Sequence, residues 1–154
     1  MRARSTVIFA DLPIYAGLAL SAFLAATLLP LSSETVLAGL LASGRGHPLA
    51  LLIVATIANT AGSAVNWLIG RGIDHFRDRP WFPVSPARYA AAMRHFNRWG
   101  LWSLLFAWLP FVGDPLTVVA GALEVPFGRF ITLVAIGKAA RYLAVFLGAA
   151  WLLG

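Results

Sequence analysis

The sequence has no cysteine, which excludes disulfides, thiolate catalysis and cysteine-bound zinc. It is also poor in charge. Only 12% of its 154 residues are charged, against roughly a quarter in a soluble domain. Acidic residues are scarcer still, six against twelve basic ones. The three histidines, His47, His75 and His95, read as loop residues in no metal-ligand spacing, so no metal site is expected. There is no Ser-His-Asp arrangement, no phosphate-cradling glycine loop and no evident nucleophile. No enzyme and no cofactor are therefore expected.

What is present is apolar surface. Hydrophobic residues make up 60% of the chain. A globule of this size cannot bury that much, so lipid must be the solvent for part of it. The expectation is a single-domain, all-α integral membrane protein. The formal charge of +6 is concentrated in one polar stretch holding Arg71, Arg77, Arg79, Arg88, Arg94 and Arg98. Flanked by apolar segments, that stretch reads as a cytoplasmic loop over residues 71–98 facing anionic headgroups, not as a nucleic-acid surface. Arg2 and Arg4 precede the first apolar run, which continues past its small residues and reads as a retained segment, not a cleaved leader.

Along the chain, an apolar block covers residues 7–31, interrupted early by Pro13 and ended by Pro30. It either crosses the membrane or re-enters. A short stretch over residues 35–42 is too brief to span. Residues 49–70 are long enough and carry Asn59, Ser63 and Asn66 on one face, as a polar pathway. Ala58 and Gly62 form a small-residue pair for helix contact. Residues 73–85 should be a loop. Ser85 then looks like an N-cap and Pro86 like a first helical residue. Tyr89, Ala92, Met93, Phe96 and Trp99 share one face of the following helix. Arg88, Ala91, Arg94, His95 and Arg98 share the other. This amphipathic cytoplasmic helix either lies in the interface, with Arg88, Arg94 and Arg98 on headgroups, or packs on the protein's own core. Residues 101–109 and 116–125 are again short. Residues 130–153 can span, and carry Lys138, Arg141 and a stripe of Ala140, Ala144 and Gly148.

The two halves, about 12–71 and 100–153, follow one plan, with the loop and amphipathic helix over 72–99 between them. Leu29-Pro30-Leu31-Ser32-Ser33-Glu34 aligns with Leu109-Pro110-Phe111-Val112-Gly113-Asp114. Paired interrupted segments are the signature of repeat-built transporters. The expected fold is two re-entrant helical hairpins plus full spans in an internal inverted repeat, with breaks at Pro30, Pro110 and Gly113. Backbone opened at membrane depth must line a cavity or be buried in protein. Glu34 and Asp114 should occupy the first turns of the second arms, where helix N-termini favour negative charge. Those N-termini could instead hold an anionic substrate group. Lys138 and Arg141 offer the balancing charge. The alternative is a structural ion-pair set that locks the hairpins.

Taken together, Leu28-Leu29-Pro30 with Ser33-Glu34, Ala58-Asn59-Thr60-Ala61-Gly62 with Asn66 and Gly70-Arg71, Trp108 to Asp114, Ala120-Gly121, and Gly137-Lys138-Ala139-Ala140-Arg141-Tyr142 resemble the DedA superfamily. This superfamily is also called VTT or SNARE-associated Golgi proteins, and the likeness is to its short bacterial, YqaA-like group. The resemblance implies re-entrant hairpins, an inner-membrane location and a transport role, either flipping or scrambling of lipid or movement of a small anionic or phosphate-bearing solute, linked to protons. It carries the family's acidic role over to Glu34. Typical members have Pro-Gly-x-Arg in the second hairpin. Here no arginine follows Pro110, so the positive role passes to Lys138 or Arg141, or the substrate differs. Ser33 belongs to the same polar set. The competing reading is a non-transporting scaffold or assembly factor whose interfaces are the amphipathic helix and the small-residue stripes. The expected partners are membrane lipids and, because two hairpins and two spans make a thin bundle, a second copy of the chain as homodimer.

Overall fold

A computed structural model describes residues 3–27, 32–72, 85–109 and 112–153, with side chains between residues 12 and 151 of these ranges. Among the described residues there are six α-helices, one 3-10 helix and no strand. In chain order they are α1 (Ala3–Ala26), α2 (Ser33–Ala42), α3 (Pro48–Arg71), α4 (Pro86–Trp99), the 3-10 helix η1 (Gly100–Phe106), α5 (Gly113–Ala122) and α6 (Phe127–Leu153).

Only α3 and α6 are long and apolar enough, among the described residues, to cross a membrane. At 24 residues α3 is about 36 Å long, slightly more than the hydrocarbon core. Leu49, Ile53, Ile57 and Leu68 of α3 are exposed, as are Ile136, Leu143, Leu147 and Trp151 of α6. Apolar stripes of this size face lipid in a membrane protein and would drive association in water.

The short helices α2 and α5 are ten residues each. Ser32 caps α2, its hydroxyl accepting from the Thr35 amide at 3.4 Å. Both helices end in the same paired turn. In α2 the Arg45 amide reaches Leu40 O and the Gly44 amide reaches Leu41 O. In α5 the Val125 amide reaches Ala120 O and the Glu124 amide reaches Gly121 O. The turn needs a left-handed residue, and the two ends fill it differently: Gly44 has φ 65°, whereas Glu124 has φ 54° despite its Cβ.

Two of the expected boundaries shift. Pro13 does not interrupt the first block, because α1 continues through it and ends at Ala26. One missing amide hydrogen is a smaller cost than opening the backbone in an apolar medium. Helix α5 starts at Gly113, ahead of the apolar run, because its first amides need no intrahelical partner and so tolerate Pro115. Pro30 and Pro110, the centres of the two expected breaks, lie outside the described residues, as does most of the expected 73–85 loop.

Helix α3 is the hub, packed by α1, α2, α5 and α6. Glycines permit the closest crossings. A methyl group on Gly62 would run into Phe23 and Ala26 of α1. One on Gly70 would overlap the Val118 backbone, and one on Gly121 the Trp67 backbone, so α3 and α5 touch main chain to main chain. The largest contact of α2 is with α6, and that of α5 is with α3. The cores show the same exchange. Leu18, Ala22, Leu37, Leu51 and Ala55 close around Tyr142 of α6. Leu104, Ala107, Ala120, Val125, Phe130 and Val134 close around Trp67 of α3.

Helix α4 has the expected Ser85 cap, its hydroxyl accepting from the Arg88 amide at 3.4 Å, with Pro86 in the first turn. Ala92 packs with Leu116 and Val119 of α5, flanked by Tyr89, Met93 and Phe96. The apolar face of this helix therefore lies on the protein's own core. Trp99 is exposed. His95 sits in the helix, not in a loop, half-buried between the rings of Trp99 and Phe106.

Candidate functional site

Four charged side chains from three helices converge part-way along α6. Glu34 stands in the first turn of α2 and Asp114 in the first turn of α5. Lys138 and Arg141 lie three residues apart on α6 and share a face. Arg141 donates from Nη2 to Glu34 Oε1 at 2.8 Å. Its Nη1 donates to the carbonyl of Trp108 at 2.7 Å. That carbonyl lies just past η1, so one guanidinium ties α2 to the segment leading into α5. Ser32 completes the carboxylate, its hydroxyl donating to Glu34 Oε2 at 3.2 Å.

Lys138 is 4% exposed. Among the described residues no carboxylate holds its ammonium. It donates to the Asn59 side-chain oxygen, and at 3.4 Å to the Asn59 carbonyl. The Asn59 amide nitrogen in turn donates to Ala22 O of α1 at 2.9 Å. Asn59 thus joins the C-terminal half of α1 to a buried cation, and its oxygen must be oriented toward that cation for Lys138 to be satisfied.

Asp114 is half-buried and makes no ion pair within 4 Å among the described residues. Both Lys138 and Arg141 act on it electrostatically. Two carboxylates and two cations therefore share one low-dielectric region, with one close pair made and one carboxylate free of a close cation. The N-terminal ends of α2 and α5 add positive dipole ends to the same region. Such a set can bind an anionic group through Lys138 and Arg141, and exchange protons or cations at the carboxylates.

The remaining sequence-chosen residues fall in different places. Ser33 is fully buried and shares a 2.8 Å hydrogen bond with the Tyr142 hydroxyl. Ser63 is buried and donates to Asn59 O at 3.4 Å. Asn66 is fully buried, its amide donating at 2.8 Å to Ala26 O, one of the carbonyls left over at the end of α1. The polar face of α3 is thus turned onto the α1 backbone. Gly113 sits so close to the Ala107 carbonyl that no side chain would fit. Arg88, Arg94 and Arg98 are exposed, with Arg98 stacked 5.7 Å above the Trp99 ring. Ala140, Ala144 and Gly148 are exposed, and among the described residues nothing lies within 4 Å of where a Gly148 side chain would begin. Among the described residues no cluster of three potential metal ligands occurs.

Sequence reasoning did not select Tyr142, Trp108 or Trp67 for the site. Tyr142 had a readable signal: it is four residues from Lys138 and follows Arg141, on the buried side of α6. Trp108 contributes only a backbone carbonyl, which no sequence pattern announces.

Residues 29–150 match the model of the VTT domain. The chain is 39% identical over 127 residues to the inner membrane protein YqaA of Escherichia coli, covering 81% of this chain and 83% of that one. It is 36% identical over 145 residues to an uncharacterized protein of Haemophilus influenzae, covering 87% of each. No solved structure matches it.

Proposed function

Since the chain belongs to the VTT-domain, or DedA, family of membrane proteins, we propose that it is a transporter that moves a lipid or a small anionic, phosphate-bearing solute. Glu34 and Asp114 serve as its proton-linked groups, and Lys138 and Arg141 as its anion contacts. The carrying observation is the gathering of all four charges from α2, α5 and α6, with Glu34 paired to Arg141 and Asp114 without a close cation among the described residues. A structure that only locked its helices would gain most by pairing every charge. An unmatched carboxylate beside two cations leaves capacity for a substrate or a proton.

On this reading α2 and α5 are the second arms of two re-entrant hairpins in an inverted repeat, broken at Pro30 and Pro110. The exchange of contacts, α2 on α6 and α5 on α3, supports a two-fold relation between the halves. The protein is then a multi-pass inner-membrane protein with residues 71–98 on the cytoplasmic side. Asn59, Ser63 and Asn66 form a polar track between α1 and the charged cluster, and Arg88, Arg94 and Arg98 meet headgroups.

A second reading, a scaffold or homodimer without transport, draws on the exposed stripe of Ala140, Ala144 and Gly148. The experiment that separates the two is phospholipid translocation in proteoliposomes, with an impermeant quencher and with and without a pH gradient. Fast translocation lost in Glu34→Gln, Asp114→Asn and Arg141→Ala supports lipid transport. Equal basal rates for wild type and all three, in folded protein, count against it.

A further inference from the structure

A groove of about 400 Å3 lies between η1 and the first turns of α6, away from the charge cluster. It is lined by apolar Leu101, Trp102 and Leu133, by Gly128 and Thr132, and by the exposed Arg129. Nothing lies within 4 Å of where a Gly128 side chain would begin, so the glycine keeps the groove open. The Thr132 hydroxyl is already committed to Gly128 O at 2.8 Å. Arg129 is exposed and its guanidinium makes no ion pair among the described residues.

Arg129 is in the first turn of a membrane-length helix, which puts it at headgroup level. Leu133 is four residues deeper, about 6 Å along the axis. A groove with a cation at the rim and apolar walls running inward is complementary to one class of ligand, an anionic amphiphile lying along the helix. Arg71 of α3 sits at this end, 3.9 Å from Glu124 in the turn before α6, so that pair is neutral overall and Arg129 is, among the described residues, the cation left for a ligand. The site is separate from the cluster, since Arg129 and Lys138 are nine residues apart, about 13 Å along α6.

We infer that this groove binds an anionic phospholipid of the surrounding bilayer, its phosphate on Arg129 and one acyl chain against Leu101, Trp102 and Leu133. The inference rests on the membrane setting and not on transport activity.

The test is native mass spectrometry of the full chain released from detergent micelles doped with phosphatidylglycerol or phosphatidylcholine of identical acyl chains. Wild type should retain phosphatidylglycerol at least fivefold more than phosphatidylcholine, about fivefold being the factor one arginine at a headgroup supplies. Arg129→Ala should lower that preference about fivefold, leaving the part owed to the other headgroup arginines. Arg45→Ala removes the same charge near the opposite end of α3 and should keep the wild-type preference. Gly128→Leu fills open space, so the fold should hold, and it should reduce retention of both lipids. Equal retention of the two lipids by wild type, an unchanged preference in Arg129→Ala, an equal loss in Arg45→Ala, or unchanged retention in folded Gly128→Leu would each overturn the inference.

Discussion

Arg141 sits 2.8 Å from Glu34 with one guanidinium nitrogen and 2.7 Å from the Trp108 carbonyl with another. One side chain of α6 thereby fixes both the start of α2 and the approach to α5. Its removal should be felt in stability as well as in transport. Arg141→Ala leaves the Glu34 carboxylate without its cation, with only the Ser32 hydroxyl on it, and the Trp108 carbonyl without its donor, at a cost of about 2–4 kcal/mol. The double variant Glu34→Gln with Arg141→Gln should recover much of that loss, because no lone charge remains, while transport stays absent. Thermal unfolding in detergent, beside the proteoliposome assay, reads both effects.

Asn59 should prove more important to Lys138 than either carboxylate. Asn59→Leu removes the oxygen that receives the ammonium and the donor to Ala22, and should destabilise by about 2–4 kcal/mol. Adding Lys138→Met should restore part of the loss, since the stranded cation is gone. If the two substitutions are simply additive, Asn59 is not the partner that holds Lys138.

The contact between α3 and α5 should tolerate no methyl group. Gly70→Ala and Gly121→Ala push a side chain into backbone, and each should cost about 3 kcal/mol or more, or prevent folding. Gly148→Ala, on an open face of α6, should stay within about 0.5 kcal/mol of wild type or gain slightly. Yield of monodisperse protein and its melting temperature decide this.

Glu124 occupies a left-handed position where α2 uses Gly44. Glu124→Gly should stabilise by about 1 kcal/mol through relief of strain. The lost pair with Arg71 is long and solvent-exposed, so it offsets little. A fall in melting temperature would mean that the Arg71 contact outweighs the strain.

The two short helices, with an acid in the first turn of each, were legible because proline, acid and apolar run recur at matching positions. The Ser85 cap was legible for a similar local reason. The course of α1 through Pro13 was not, because local propensity says nothing about the cost of opening a backbone in an apolar surround. Charge balance suggested that Lys138 would meet a carboxylate. A neutral amide, brought in from α3 by the packing of α1, holds it instead. Sign can be read from sequence, but which neighbour reaches a buried cation is set by helix crossings. Those crossings depend on Gly62, Gly70 and Gly121, of which only Gly62 stands in a small-residue pair that the sequence marks for helix contact. The amphipathic helix left two readings open, and the seating of Ala92 between Leu116 and Val119 favours packing on the protein itself.

The exchanged aromatics carry a consequence for how such a chain could have arisen. The first half closes its core around Tyr142 and the second around Trp67, so each half is missing its centre until the other arrives. A gene encoding one half alone would have had to make a product that found a second copy of itself before it could fold. Severing the chain between Gly72 and Ser85 recreates that situation: two fragments expressed together should reassemble, and either one expressed alone should be degraded.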